Sequence, residues 1–600
     1  MDEKSVIMPN GNPFSFWDDV TNYTKVYHVA CENPNASDEA TGTEERPFAT
    51  IGRAVELLKP GEKVVVHKGV YRECVSPKCG GESPDHMIAY ESAEGEEVFI
   101  KGSNLWSPEF KPADDWNFGG AKVWMGELPK EWFIGYNPFM TMNFSSEYTT
   151  FTRDWSDSEI TTFMLKRGMV FADNKPLKQV FRSSEMAKSD GVFWADPSGL
   201  KLYIRLWNDE DPNGKAFEVT AREQCFAPNG AYGYIRVSGF HFEHCADGIP
   251  VPQRAMVSAG LGHHWIIEDN YIKWANACGI DVGNESWHRV RHEKTETSGG
   301  HIIRRNHVSE CGICGIEAVG NNANSLVENN TVEHIGSMNI ERIWECGGLK
   351  FHTCDSVLIR NNVFRHIYNA PGLWLDYLNK NCRVTGNVFA DIDSILGGIY
   401  IEVSHDINAV DHNILWDIRG VGRSKSGPGI NVDTGEKCVV ANNLLGKVKD
   451  GYAVSVSLNQ NARVVGGRVG LCRRHKVMNN ILVGCPKRIM LSRIEDNKSD
   501  NNLFDSRDDS TSLCIEYPAP QALVNLSAWQ DYYWLDGNSK QAQIEANFDP
   551  ETLKLTLKID GETPKCKPIE ELHDSSVDYI GAIRIESGKS EYQIVAGKLG

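Results

Sequence analysis

The segments Gly348-Leu-Lys-Phe-His352, Gly372-Leu-Trp-Leu-Asp376 and Gly398-Ile-Tyr-Ile-Glu402 repeat one pattern, which Gly429-Ile-Asn-Val-Asp433 continues. In each, a glycine precedes an alternation of apolar residues with polar or aromatic ones. Successive side chains of a β-strand point to opposite faces, so the apolar residues are expected in a core. If the segments stack as neighbouring strands, the other residues form two outward columns. The first column is Lys350, Trp374, Tyr400 and Asn431, and the second is His352, Asp376, Glu402 and Asp433.

A second phrase, apolar-apolar-x-x-Asn-apolar-apolar, marks the turns of a solenoid. Its asparagine recurs at steps of 22 to 37 residues, at positions 270, 306, 330, 362, 387, 413, 443, 480 and 502. A single coil cannot bury its own apolar side, so coils stack and share a core. The phrase predicts a right-handed parallel β-helix in which the asparagines lie at bends, tolerate left-handed backbone geometry and hydrogen-bond to one another.

The two ends of the chain carry other patterns. Residues 47–58 predict a helix that covers the first coil, and Lys63-Val-Val-Val-His67 predicts a strand. Residues 74–230 and the tail from about 515 predict antiparallel sheet. We therefore expect an all-β chain with four parts: a cap and first coil at 20–75, an inserted β-sandwich part at 76–225, the β-helix at 226–515, and a tail at 516–600 that completes the sandwich.

Composition excludes several classes of function. The net charge of −19 over 600 residues argues against a nucleic-acid partner, because phosphate binding needs a basic surface. Neither an apolar run of membrane-spanning length nor a signal-like N-terminus is present, and the 16 cysteines form no disulfide framework. We expect a reduced, cytoplasmic protein without membrane attachment. The lone Cys311-Gly-Ile-Cys314 is typical of packing rather than of a metal or redox site.

The strongest functional signal is the pair Asp376 and Glu402. These acids hold equivalent places on successive coils, and stacked strands lie about 4.8 Å apart. A carboxylate separation of about 5 Å is typical of a retaining glycosidase, in which one carboxylate attacks the anomeric carbon and the other acts as acid and base. A structural sheet would avoid such a pair, because like charges side by side are destabilising. Two carboxylates suffice for this reaction, so we expect neither a metal nor another cofactor.

The remaining candidates surround the acid pair. Trp374 and Tyr400 would offer a platform for a sugar ring, and His352 would bond a sugar hydroxyl or one carboxylate. Five residues are predicted to bind substrate: His352, Glu345, Trp374, Tyr400 and Lys350. Glu345 precedes its strand and is expected at the rim of the site. Asp433 is a weaker candidate because an insertion separates its coil, which predicts a break in the column, and His405 is expected to be structural.

The chain resembles glycoside hydrolase family 120, the β-helix β-xylosidases, over most of its length. The resemblance is carried by residues 27–30, 46–51, 67–73, 265–270, 372–376, 401–405 and 410–415. The resemblance implies a β-helix interrupted by a β-sandwich, with Asp376 as nucleophile and Glu402 as acid/base. It further implies an exo-acting retaining β-xylosidase that releases xylose from short β-1,4-xylo-oligosaccharides. Family members look oligomeric, so a homo-oligomer, a dimer or a tetramer, is expected.

Three other functions fit parts of the pattern. A retaining exo-glycosidase for another sugar, such as arabinose or fucose, would use the same acid pair. A polysaccharide lyase would need a basic residue to abstract a proton, and Lys350 is its candidate. A non-catalytic solenoid binder would tolerate the change Asp376→Ala without loss of function.

Overall fold

The computed structural model describes most of the chain. The described residues are 6–143, 165–248, 254–283, 299–320, 322–340, 345–422, 426–458, 464–493, 495–508, 511–516, 521–573, 579–584, 586 and 588–596. Within them the chain is almost entirely β-structure, with three long sheets of mainly parallel strands. This confirms the predicted parallel β-helix.

Two faces of the β-helix meet at the asparagine bends: the strands of the first face precede each bend, and those of the second face follow it. The first face contains strands Lys25–Val29, Glu62–Val66, Ile88–Ser92, Ile235–Ser238, Ile266–Glu268, Ile302–Arg304, Leu326–Glu328, Leu358–Arg360, Arg383–Thr385, Asn408–Asp411, Cys438–Ala441, Lys476–Met478 and Lys498–Asp500. The second contains strands Gly69–Tyr71, Val98–Lys101, His241–Cys245, Tyr271–Ala275, His307–Ser309, Thr331–Glu333, Val363–Tyr368, Val388–Asp393, Ile414–Arg419, Leu444–Val448, Ile481–Val483 and Leu503–Asp505.

The third face carries the glycine-led segments that begin at Gly348, Gly372, Gly398 and Gly429. Its parallel strands are Val257–Ser258, Cys278–Asp281, Cys314–Ala318, Gly347–His352, Leu373–Asp376, Ile399–Glu402, Ile430–Asp433, Val454–Ser457, Ile489–Leu491 and Leu513–Ile515, and Ala522–Val524 adds an antiparallel edge. The glycine is required by close packing. A Cβ added at Gly372 would lie 2.6 Å from the ring of Phe389 in the core.

The predicted asparagine ladder is present at the bend between the first two faces. The side chain of each buried asparagine donates to the side-chain oxygen of the next, for example Asn362 to Asn387 at 3.0 Å and Asn387 to Asn413 at 3.0 Å. The left-handed residue is the one before the asparagine, as at Asn361, where φ is 55°. From Asn270 to Asn502 the ladder thus satisfies buried backbone groups at each turn and fixes the register of the coils.

Each end of the solenoid core is covered by a short helix. Helix Ile51–Val55, capped by the Thr50 side chain, buries its apolar residues against the first coils. It is shorter than the predicted residues 47–58, because the cap residue Thr50 has an extended backbone and a turn follows directly after Val55. Helix Leu526–Tyr533 covers the other end with Leu526 and Trp529.

The inserted part forms a sheet of its own with a separate apolar core. Its strands are Ser103–Trp106, Lys111–Pro112, Trp124–Glu127, Val170–Ala172, Lys175–Gln179, Val192–Ala195, Lys201–Arg205 and Phe217–Thr220. The segments Ile88–Ser92 and Val98–Lys101, which the sequence predicts as antiparallel, are instead parallel strands of the β-helix. Their coil turns at Gly95 rather than at an asparagine, so it lacks the diagnostic phrase.

The tail also differs from the expectation. Its strands Lys540–Asp549, Lys554–Asp560 and Glu591–Val595 extend the second face of the β-helix antiparallel to one another, and they do not pair with the inserted sheet. Their apolar side chains pack on outward residues of that face, such as Ile414 and Leu444. The alternation of apolar and polar residues correctly predicts a sheet with one buried face, but it does not indicate which surface packs against that face.

Other elements are short. They comprise the hairpins Val464–Val465 with Arg468–Val469 and Tyr579–Ile580 with Ile583–Arg584, and the 3-10 turns Lys130–Phe133, Ser183–Ala187, Trp207–Asp209, Ser506–Asp508 and Glu570–Leu572. Within the ranges given above, the helices are too short and too polar to cross a bilayer.

Candidate active site on the third face

Strand register brings the predicted columns together. Lys350 pairs with Trp374, Trp374 with Tyr400 and Tyr400 with Asn431 on successive parallel strands. In the second column His352 pairs with Asp376, and Glu402 pairs with Asp433. Leu375 pairs with Ile401, so the next residues, Asp376 and Glu402, stand side by side on adjacent coils. At the usual strand spacing their backbones are about 4.8 Å apart.

The side chains of the two columns point away from the solenoid core, but most of them are buried. Leu349, Phe351 and Leu375 belong to the apolar core, whereas the residues that alternate with them do not. Asp376 is 4% exposed and Glu402 is 6% exposed, while His352 is fully buried. The acids therefore lie in a partly desolvated recess, where electrostatic interactions are stronger than on an open surface.

Glu345 is the centre of a charged cluster at one end of this recess. One of its oxygens, Oε2, lies 3.1 Å from the Lys350 ammonium and 2.8 Å from Nε2 of His352. Its residue has φ of 55°, a left-handed bend immediately before the strand. The expectation of a rim position for Glu345 is wrong, because this bend turns the side chain inward, where it is 1% exposed.

Lys350 and His352 connect Glu345 to Asp376. The Lys350 ammonium lies 3.2 Å from Oδ2 of Asp376, and Nδ1 of His352 lies 3.3 Å from the same oxygen. The other oxygen of Asp376 accepts a hydrogen bond from the backbone N–H of Tyr377 at 2.9 Å. These contacts fix the position of the Asp376 carboxylate.

Charge pairing governs the protonation of this cluster. Burial alone would lower the pKa of Lys350, but the charges of Glu345 and Asp376 outweigh it and hold the pKa above its ordinary value. Burial would likewise raise the pKa of Glu345, yet Lys350 and His352 hold it well below its usual range. The cluster therefore contains an ammonium group and ionised Glu345 at neutral pH.

The indole of Trp374 contacts both Glu402 and Lys350. Its Nε1–H donates to Oε2 of Glu402 at 3.1 Å, and the Lys350 ammonium lies 3.4 Å from the centre of its ring. The Tyr400 ring is 5.2 Å away at an angle of 47°. Because Lys350 covers one face of the indole, Trp374 offers less free surface to a sugar than the sequence-based platform assumes. It positions Glu402 and Lys350 instead.

The column continues past the insertion that precedes Asp433. Glu402 and Asp433 are paired, and the Tyr400 hydroxyl donates to Oδ2 of Asp433 at 3.0 Å. The predicted break in the column is therefore wrong, because the extra residues are accommodated outside the paired strands. His405 lies apart from the charged cluster, with Nε2 3.3 Å from the carbonyl of Val465.

Two further acids, which the sequence analysis missed, belong to the first column, that of Lys350, Trp374 and Tyr400. Asp281 pairs with Glu317, and Glu317 pairs with Lys350, so both lie in the column of Trp374 and Tyr400. Both are fully buried. The same glycine-led phrase marks them, as Gly279-Ile-Asp281 and Gly315-Ile-Glu317, two and one coils before Lys350. Extending the repeat towards the N-terminus would have found them.

The described residues include two groups with metal-ligating atoms. One oxygen each of Glu317 and Glu345 and a ring nitrogen of His352 lie within 4.8 Å of one another, as do ligand atoms of Cys278, Cys314 and Glu317. In the first group the Lys350 ammonium already neutralises Glu345. In the second, the thiols of Cys278 and Cys314 donate to backbone carbonyls.

Comparisons with known proteins support the fold. A family model described as "Right handed beta helix region" matches residues 228–469. A solved structure of XylC in complex with xylose superposes with a TM-score of 0.66 at 22% identity, over 89% of both chains. Another, described as "Glycoside hydrolase", has a TM-score of 0.46 at 12% identity, over 73% of this chain and 94% of its own. Among curated proteins, the uncharacterized protein YwoF of Bacillus subtilis is 33% identical over 79 residues, which are 13% of this chain and 17% of YwoF.

Proposed function

We propose that the protein is a retaining exo-glycosidase that releases xylose from the non-reducing end of β-1,4-xylo-oligosaccharides. The observation that carries the proposal is the register that sets Asp376 beside Glu402 on adjacent strands. A gap of about 5 Å leaves no room for a water between carboxylate and sugar, which favours double displacement over inversion.

The surroundings of the two acids favour distinct roles. Asp376 contacts the Lys350 ammonium, which stabilises the carboxylate needed for nucleophilic attack. Glu402 accepts a hydrogen bond from the indole of Trp374, and the resemblance to family 120 assigns it the role of acid and base. Asp376 attacks the anomeric carbon while the glycosidic C–O bond breaks and Glu402 gives its proton to the departing oxygen. Glu402 then takes a proton from water, whose oxygen attacks the anomeric carbon and releases Asp376.

The exo mode is supported by the charged cluster at one end of the recess. Glu345, Lys350 and His352 fill the space beside Asp376 on the N-terminal side, and His352 is fully buried. A chain of sugars cannot continue past such a barrier, so one terminal residue would bind there. Their hydrogen-bonding groups, including the imidazole and the ammonium, suit sugar hydroxyls.

Xylose is proposed as the sugar because the resemblance to family 120 and the XylC–xylose structure agree on it. A homo-oligomer, a dimer or a tetramer, in the cytoplasm remains part of the proposal. An arabinosidase or fucosidase would share the acid pair, and a panel of nitrophenyl glycosides separates these substrates. Preference for another glycoside over the β-xyloside would overturn the choice of sugar.

Product stereochemistry gives the sharpest test. With β-xylobiose as substrate, NMR of the first product should show β-xylose from the non-reducing end, before mutarotation. Initial α-xylose in excess of the share that the reducing-end unit of xylobiose contributes would refute the retaining mechanism.

Asp376→Asn and Glu402→Gln should each fold and lose most activity.

Azide separates the two roles. Glu402→Ala leaves a vacant face on which azide can intercept the glycosyl-enzyme, so activity towards an activated xyloside should partly recover with a β-azide product. Recovery at Asp376→Ala instead, with an α-azide, would reverse the assignment.

A lyase is the less favoured alternative. Its candidate base, Lys350, is kept protonated by Glu345 and Asp376 and cannot abstract a proton in that state. A product with the absorbance of an unsaturated uronate would favour the lyase.

A further inference from the structure

Glu317 lies directly behind the charged cluster and has no role in the proposed reaction. It is one coil before Lys350 in the same column and is fully buried. One of its carboxyl oxygens lies within 4.8 Å of both Glu345 and His352. A second acid at this depth, next to an ionised glutamate, needs a physical explanation, since like charges in a dry site repel strongly.

The hydrogen bonds around Glu317 indicate how the repulsion is avoided. Among the described residues, no group donates a hydrogen bond to either carboxyl oxygen of Glu317 or to Oε1 of Glu345. Lys350 and His352 contact Glu345 through its other oxygen, Oε2. One proton on Glu317 resolves two of these three vacancies, because the O–H of a carboxylic acid supplies the donor that Glu345 Oε1 lacks and leaves the carbonyl oxygen uncharged.

We propose that Glu317 is a neutral carboxylic acid whose O–H donates to Oε1 of Glu345, and that it thereby positions Glu345 for Lys350 and His352. Glu345 then accepts on both oxygens and holds the two groups that contact Asp376. Glu317 is a positioning residue: it acts through Glu345 and does not touch the reacting atoms. Its effect on catalysis rests on the proposed glycosidase function, whereas its protonation does not.

The other groups around Glu317 agree with a neutral acid. Asp281 pairs with it from the preceding strand, Cys314 lies on its own strand, Cys278 is adjacent, and Glu345, Lys350 and His352 face it from the next coil. Lys350 is the one fixed cation in this set, and it is shared by Glu345 and Asp376. Burial, with Cys314 and Glu345, raises the pKa of Glu317 well above its ordinary value.

The first test needs no activity. Glu317→Gln keeps an N–H donor for Glu345 but cannot ionise. In the unfolded chain Glu317 ionises near its ordinary pKa, so between pH 5.5 and 8 the wild type should lose stability relative to Glu317→Gln, by about tenfold in the unfolding constant per pH unit. Parallel pH profiles of the two proteins in thermal unfolding would overturn the proposal. So would a stoichiometric metal in the purified protein that is lost in Glu317→Gln, because a cation would replace the proton.

The second test concerns positioning. Glu317→Leu should lower kcat/KM for β-xylobiose by about tenfold or more, since Glu345 loses a buried donor, and Glu317→Gln should recover part of that loss. Asp536→Asn is the control, as it alters another buried acid, in the C-terminal cap. Equal loss in Glu317→Gln and Glu317→Leu would refute the positioning role. If no glycoside is cleaved by the wild type, the proposed function fails while the pH test still decides the protonation of Glu317.

Discussion

Removing the cation of the charged cluster should destabilise the protein far more than removing an exposed one. The change Lys350→Met keeps the length and apolar stem of the side chain but leaves Glu345 and Asp376 without the ammonium at 3.1 and 3.2 Å. The Lys350 and Glu345 side chains are 2% and 1% exposed, so water cannot replace the lost charge. Loss of one partner from a buried pair costs about 3–5 kcal/mol.

The matched control is Lys380→Met. Lys380 forms an even shorter pair, 2.7 Å to Asp355, but the two side chains are 52% and 41% exposed. Such a pair contributes about 0–1 kcal/mol. Unfolding in guanidinium chloride at pH 7.5 should therefore separate the variants by several kcal/mol, and the deficit of Lys350→Met should shrink at pH 5 as a carboxylate takes up a proton. Equal losses in the two variants, or a deficit that is independent of pH, would refute the reasoning.

Three other perturbations follow from the contacts. Trp374→Phe keeps a ring for Lys350 but removes the donor to Glu402. The basic limb of the pH–rate profile, where the proposed general acid loses its proton, should therefore move to higher pH, and an unchanged profile would contradict the role of the indole. Asn387→Ala breaks the ladder and should cost at least about 2 kcal/mol in chemical unfolding, against a negligible cost for the exposed Asn538→Ala. Burial lowers the pKa of His475 to about 4, so between pH 6.5 and 4 the unfolded chain binds a proton that the folded chain does not. The free energy of unfolding should therefore fall by up to about 3 kcal/mol over this range. His475→Gln should reduce this pH dependence, and an unchanged pH dependence would contradict the burial of a neutral imidazole.

The repeating parts of the fold could be predicted because each coil carries its own signature. The asparagine bends and the glycine-led strands fix one register, and from that register the neighbourhood of Asp376 and Glu402 follows. The coil of strands Ile88–Ser92 and Val98–Lys101 escaped prediction because it turns at a glycine. The place of the tail escaped because an amphipathic strand pattern indicates a buried face without naming its partner.

Within the site, what could be predicted depends on backbone regularity. Residues on the strands, such as Lys350 and His352, stand where alternation places them. Glu345 does not, because its position depends on one left-handed residue that the sequence does not mark. The burial of the cluster and the contact of Lys350 with Trp374 arise from side-chain packing, which has no periodic signal.

Stacked coils also restrict the stereochemical choices open to such a protein. Because backbone hydrogen bonds set the rise per turn, acids in one column can be separated only by whole multiples of about 4.8 Å. Neighbours such as Asp376 and Glu402 fall near the separation for retention, whereas acids two turns apart, like Asp376 and Asp433, are about 9.6 Å apart, close to the upper limit for inversion. Moving one carboxylate by a single turn would therefore change the outcome of hydrolysis in one discrete step, without any intermediate geometry.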